Sequence, residues 1–235
     1  FPFYRYIMDV SSALTLSLSN KIIAYTEDYA KHSRLLKYFW DKVNFVYPPI
    51  PKPIKVKRKK HLKFTIGVAA RLSHEKGIEY LLEAIRNLDC KLLIAGPMDP
   101  AGEEKYKQKI MKLVKEQENK ITFLGAVAPE DMSQFYSQID VLVLPSINST
   151  EAFGIVQVEA MMHDVPVIAT DLPGVRVPIQ QTQMGIIVPI KDSVALSQAI
   201  LKIKENRNNY IYKMPEDFKM NNNLEKLDSA IQTRG

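Results

Sequence analysis

Four charged side chains stand where an anionic, hydroxyl-rich ligand would need them. Arg71 and Lys76 lie in the stretch Gly67-Val68-Ala69-Ala70-Arg71-Leu72-Ser73-His74-Glu75-Lys76-Gly77, between a short apolar run and the amphipathic segment that begins Ile78-Glu79-Tyr80-Leu81-Leu82. A cation at a helix start opposes the helix dipole unless an anion is bound there. The two therefore read as a diphosphate clamp, arginine offering a planar fork and lysine a point charge. The alternative is a solvated loop holding an internal Arg71–Glu75 pair. His74, in the same loop, reads as an exposed loop residue rather than an acid or base.

The second group follows another apolar run: Leu144-Pro145-Ser146, then Glu151-Ala152-Phe153-Gly154-Ile155-Val156-Gln157-Val158-Glu159-Ala160-Met161-Met162. Glu151 stands in a loop or first turn, where carboxylates also cap helices. Glu159 sits among Ile155, Val156, Val158, Ala160, Met161 and Met162 and is expected to be largely buried. A buried carboxylate needs a partner, so a ligand hydroxyl or a buried cation is expected beside it. Eight residues of helix would separate the two carboxylates by about 12 Å. That exceeds the roughly 5–9.5 Å of a glycosidase pair, but it suits one extended ligand gripped at two points, such as a nucleotide joined to a sugar.

Other chemistries lack their residues. There is no Gly-x-Gly-x-x-Gly, no Gly-Lys-Ser/Thr and no Asp-x-Asp, and His32, His61, His74 and His163 show no ligand spacing. No metal and no cofactor are expected; Arg71 and Lys76 would neutralise a diphosphate by themselves. The single cysteine, Cys90, reads as a small core residue and excludes an internal disulfide framework.

The elements that must position these residues alternate. Apolar runs at 64–69, 91–95, 121–124, 141–144, 166–169 and 185–188 are separated or followed by helical stretches near 77–88, 103–118, 129–137, 153–163 and 192–205. Several runs are apolar on both faces, as parallel strands between two helical layers must be. The fold class is α/β, a doubly wound parallel sheet over 62–206 with its ligand loops at the carboxyl ends of the strands. Before it, residues 1–47 read as helix, strand, helix and strand, and 48–61 as a Pro/Lys-rich linker; 207–235 reads as a polar tail.

A net charge of +6 in 235 residues, 46% of them hydrophobic, describes a globular protein, not a disordered one. The charge is uneven: residues 1–66 hold 13 Lys and Arg against four Asp and Glu, so the basicity belongs to the first quarter and its knot Lys55-Val56-Lys57-Arg58-Lys59-Lys60. That knot is either a solvated linker or a patch for phosphate or an anionic membrane. No aromatic residue is interleaved with it, which argues against nucleic acid as a partner. The 62–206 unit carries no such surplus.

Gly67, Arg71-Leu72, Glu75-Lys76-Gly77, Leu93-Ile94-Ala95-Gly96, Val143-Leu144-Pro145-Ser146, Glu151 through Met161 and Val165-Pro166-Val167-Ile168-Ala169 stand in the order and spacing of the family 4 glycosyltransferases, which the chain resembles over about 20–205. The resemblance implies a GT-B fold of two Rossmann-like domains, of which this chain carries the C-terminal, donor-binding one plus a short α/β remnant of the other. It implies retention of anomeric configuration without a metal, with a hexosyl group moving from a UDP- or GDP-sugar to an acceptor glycan or lipid-linked sugar. By the same resemblance Arg71 and Lys76 would hold the diphosphate, Glu151 would contact the donor sugar beside Phe153, Gly154 and Ile155, and Glu159 would bind the ribose. Gly67 and Val127 complete the implied donor-binding set, the latter through backbone contacts of Gly125-Ala126-Val127 to the base. Where most members carry a glutamate shortly after the glycine matching Gly174, this chain has Val175-Arg176-Val177. The first residue is not methionine, and the chain is expected to lack most of an acceptor-side domain. The implied setting is cytoplasmic, with peripheral contact at the inner face of a membrane. Competing readings are a nucleotide-sugar 2-epimerase of the same fold and a non-catalytic nucleotide-sugar or anionic-surface binder.

Overall fold

The computed structural model describes residues 2–54, 56–58, 62–211, 213, 215 and 218–232 and divides the chain into two units, Phe1–Pro51 with Pro215–Gly235, and Lys52–Met214. Lys55, Lys59, Lys60 and His61 of the basic stretch lie outside the described residues.

The first unit opens with α1 (Pro2–Leu18), with proline in the first turn where its missing N–H costs nothing. β1 (Ile22–Ala24) pairs in parallel with β2 (Val43–Phe45), Ile22 opposite Val43. Between them, the Thr26 hydroxyl accepts the Tyr29 amide to cap α2 (Glu27–His32), which has acids in its first turn and Lys31 and His32 in its last. The sequence predicts one helix to about 38. It ends at His32 because Ser33 is extended, and a 3-10 segment, Leu36–Lys42, with non-helical Phe39 inside it, carries the chain onward. Arg34 makes a two-pronged bond to Asp9, at 2.7 and 2.9 Å. The segment from 207, read as a polar tail, instead carries a 13-residue helix, Met220–Gln232, assigned to this unit.

The second unit alternates strand and helix: β3 (Thr65–Ala69), α3 (Ile78–Ile85), β4 (Lys91–Ala95), α4 (Glu104–Lys115), β5 (Ile121–Gly125), α5 (Met132–Tyr136), β6 (Val141–Leu144), α6 (Ile155–Met162), β7 (Val167–Thr170), α7 (Val177–Thr182), β8 (Gly185–Val188) and α8 (Ser193–Asn206). All six strands are parallel, in the order β5-β4-β3-β6-β7-β8. Apolar side chains on both faces have a simple cause. Val141 and Val143 of β6 enter one core with α3, α4 and α8, while Leu142 and Leu144 enter a second with α5, α6 and α7. Helix α7 is absent from the sequence reading; six residues with Pro178 near the start show no helical period. Cys90 and Met161 are buried in the core.

After β3 the chain winds outward through β4 and β5, then returns to β6 on the other side of β3. The carboxyl ends of β3 and β6 therefore flank the point where strand order reverses, the usual ligand crevice of such sheets. At the opposite ends of these two strands, Asp140 ties three segments together. Its carboxylate accepts the Thr65 amide and the Arg58 guanidinium, both at 2.7 Å, and its carbonyl accepts from Arg207 at 3.2 Å. Among the described residues no helix is long and apolar enough to cross a membrane.

Candidate functional site

Two loops meet at the reversal point, and backbone geometry joins them. The Ile147 amide donates to the Glu75 carbonyl at 2.9 Å. Gly77 has φ +60°, and a Cβ there would lie 2.4 Å from the Pro145 carbonyl oxygen, so only glycine permits the approach. This contact brings together two residues 75 apart in sequence: Lys76 donates to Glu151 Oε2 at 2.6 Å, their side chains 20% and 15% exposed. The Ser146 hydroxyl donates to the same oxygen at 3.3 Å, and the buried Thr170 hydroxyl holds the Ser146 carbonyl at 2.6 Å. Glu151 lies before α6 and is bonded sideways; it does not cap the helix.

Arg71 is not brought to this pair. It donates to Glu75 at 2.7 Å from an exposed position, so the internal pair weighed as the alternative is the arrangement observed. The Ser73 hydroxyl adds a 2.6 Å bond to the same Glu75 oxygen. Partial burial pushes the Glu75 carboxyl up, but the bonds from Ser73 and Arg71 outweigh it and hold the group below its ordinary value. Nor is the start of α3 free for an anion. The Ile78 amide donates to the Tyr106 hydroxyl at 3.0 Å, and that hydroxyl donates to Glu79 at 2.5 Å. Glu79, 2% exposed and also bonded by Lys109 at 3.0 Å, is a buried carboxylate with its partners supplied by α4. His74 is exposed, as expected.

Gly154, with φ +75°, starts α6, and no side chain caps the helix there. Phe153 is buried beneath, and the Gln157 amide bonds the carbonyls of Phe153 and Val175 at 2.7 and 2.9 Å, bracing the loop against the one after β7. Ile155 is exposed. Glu159 shares the helix face of Ile155 and is only partly buried, which corrects the expectation of a largely buried carboxylate. It also has a partner within the chain: the Tyr136 hydroxyl donates to Glu159 Oε2 at 2.6 Å. Gly67 does not line the crevice. A Cβ there would meet Ile139 at 2.5 Å and Phe135 at 2.9 Å, so it is a packing glycine in β3. Val127 is partly buried beyond β5 and packs on the second core. Arg176, where a glutamate is common, bonds Asp171 at 2.9 Å. Ser146, Tyr136, Gln157 and Thr170 are site residues that the sequence reading does not name; Ser146 and Gln157 stand inside the quoted motifs, and Tyr136 and Thr170 stand in none. Among the described residues no three His, Cys, Asp or Glu side chains gather as metal ligands.

The arrangement is a cation–carboxylate pair beside an uncapped helix start, with a second carboxylate just over one turn along that helix. Residues 50–224 match the model of the glycosyl transferases group 1 family. The phosphatidyl-myo-inositol mannosyltransferase of Mycobacterium leprae is 35% identical over 136 residues, 56% of this chain and 34% of that protein. A D-inositol 3-phosphate glycosyltransferase of Corynebacterium urealyticum is 30% identical over 145 residues, 57% of this chain and 33% of that protein. The chain thus spans about a third of the length of these curated relatives. Among solved structures, Anabaena Alr3699/HepE in complex with UDP and glucose superposes with a TM-score of 0.76 at 18% identity, covering 96% of this chain and 66% of that one. Sucrose-phosphate synthase from Thermosynechococcus elongatus gives 0.74 at 22% identity, covering 93% and 56%. These likenesses establish the fold as that of GT-B glycosyltransferases.

Proposed function

The chain belongs to the glycosyl transferases group 1 family, and from that premise we propose that it is the donor-binding part of a retaining, metal-independent glycosyltransferase of family 4. The enzyme moves a hexosyl group from a UDP- or GDP-sugar to an acceptor hydroxyl in glycan, glycolipid or cell-surface polysaccharide synthesis. The observation that carries this reading is the Lys76–Glu151 pair, 2.6 Å apart at the reversal point of the sheet. A departing nucleoside diphosphate needs a fixed cation where its charge grows, and Lys76 is held there by the two joined loops. Glu151 lies next to that cation, so a sugar on the diphosphate comes within its reach. Arg71 exchanges Glu75 for a phosphate oxygen, and the open start of α6 adds its amides. Glu159, further along α6, takes the ribose hydroxyls. As the bond from the anomeric carbon to phosphate breaks, its electrons pass to the diphosphate; the acceptor oxygen forms the new glycosidic bond and passes its proton to an oxygen of the departing diphosphate. The acceptor, and any membrane contact through the basic stretch, belong to the same proposal.

The test is kinetic, in the full-length natural enzyme. Lys76→Ala is expected to cut turnover by about 10²-fold or more, and Glu159→Gln to raise the KM for the nucleotide sugar. Unchanged kinetics in both variants would sink the reading. Product formation without any acceptor would instead identify an epimerase.

A further inference from the structure

Glu159 is steered from outside its own helix. Tyr136, the last residue of α5, is 1% exposed, and its ring packs edge-on against Phe135 at 5.4 Å and, tilted by 33°, against His163 at 4.9 Å. The hydroxyl has one proton and two acceptors in reach, Glu159 Oε2 at 2.6 Å and the Val156 carbonyl at 3.5 Å, so the proton goes to the carboxylate. Burial, then the Glu159 charge and this bond, push the phenol far up, and it remains a donor.

A second tie fixes the same two helices. His163, directly after α6, bonds the Glu159 carbonyl through Nδ1 at 2.8 Å. Its Nε2 shares a hydrogen bond with the Ser133 hydroxyl at 3.0 Å, and Ser133 lies one turn before Tyr136 on α5. Both the backbone and the carboxylate of Glu159 are thereby held by α5. One carboxylate oxygen is committed to Tyr136, and the other accepts nothing from any described residue.

We propose that Tyr136 is a positioning residue that aims the remaining Glu159 oxygen at a sugar hydroxyl of the nucleotide, making this site selective for ribonucleoside over 2′-deoxyribonucleoside diphosphates. The proposal rests on the assignment of Glu159 to the ribose and adds what makes that contact selective. A carboxylate free to turn would satisfy itself with water whether or not the 2′-hydroxyl were present. One that is pinned presents an acceptor at a fixed point, and a ligand lacking the hydroxyl leaves it unpaired there.

The experiment is calorimetric binding of UDP, GDP and ADP, each with its 2′-deoxy counterpart, to the purified chain and to its Tyr136→Phe, Glu159→Gln and double variants. The wild type is expected to prefer the ribo form by about tenfold or more, the scale of one hydrogen bond to a charged group. Tyr136→Phe should bring the ratio toward one while leaving the 2′-deoxy affinity unchanged, and should have no further effect on the ratio in the Glu159→Gln background. Equal weakening of both forms in Tyr136→Phe assigns Tyr136 a merely structural role and overturns the proposal, as does an unchanged ratio. Retention of the preference by Glu159→Gln, or no binding of any of the nucleotides, overturns the ribose assignment beneath it.

Discussion

The Lys76 ammonium is paired within the chain, and a diphosphate bound there, as proposed, would meet Glu151 as a competitor. Glu151→Gln is therefore expected to tighten the binding of a bare nucleoside diphosphate while removing transfer. Glutamine keeps the shape, can still accept from Lys76 and Ser146, and lacks the charge. Exposed ion pairs contribute about 0.2–1 kcal/mol, and breaking a fully buried one costs about 3–5 kcal/mol. Side chains 20% and 15% exposed place this pair between those limits, so freeing Lys76 is worth about 1–2 kcal/mol. Repulsion between Glu151 and the phosphates acts with the same sign. The gain in affinity is then about 5- to 30-fold, smaller at high salt because the pair is partly exposed. Titration calorimetry with UDP, GDP and ADP at two ionic strengths measures it; bare diphosphates are the right probes because they leave out the sugar contact proposed for Glu151. An affinity that falls or stays level in Glu151→Gln would show that the pair does not gate the phosphate position, and the reasoning from the 2.6 Å contact would fail.

Asp140→Ala should lower stability by about 3 kcal/mol, since it strips partners from the Thr65 amide and the Arg58 guanidinium at a carboxylate 14% exposed. For a unit of this size that is about 6–12 °C in Tm; a loss under about 1 kcal/mol in urea unfolding would mean that the anchor is not cooperative with the sheet. The Glu75 carboxyl, held below its ordinary 4.5 in the folded chain, contributes stability that is fully present above that value and disappears as pH falls through the lower folded one, because the unfolded chain takes up the proton first. Urea midpoints followed into acid should fall less steeply in Glu75→Gln than in the wild type, and parallel curves would refute the assignment.

Much of the fold was readable because its causes are local. Strands covered on both faces must be apolar at every position, and Val141-Leu142-Val143-Leu144 says so without reference to the rest of the chain. Boundaries were less readable where a short segment or a turn decides them. Ser33 ends α2 by its extended backbone, and α7 is too brief for a period to appear.

The candidate site divides in the same way. Glu79 and Glu159 are both flanked by apolar neighbours, yet Glu79 is fully buried and Glu159 only partly. Adjacent residues point to different sides of a helix, so neighbours at one position's remove say nothing about the face a side chain occupies. Ile155, four residues before Glu159 and on its face, is 40% exposed although apolar, so here even the residue on the same face points the wrong way. Lys76 and Glu151 stand out in the sequence by their types, but their contact depends on the reversal of strand order and on Gly77 lying against Pro145. Tyr136, Ser146, Gln157 and Thr170 act on other residues of the chain by offering a hydrogen bond from a neighbouring element. Any donor of suitable reach could do that, so no residue type or spacing marks the role. At Glu159 the bond from Tyr136 leaves one carboxylate oxygen without a partner among the described residues.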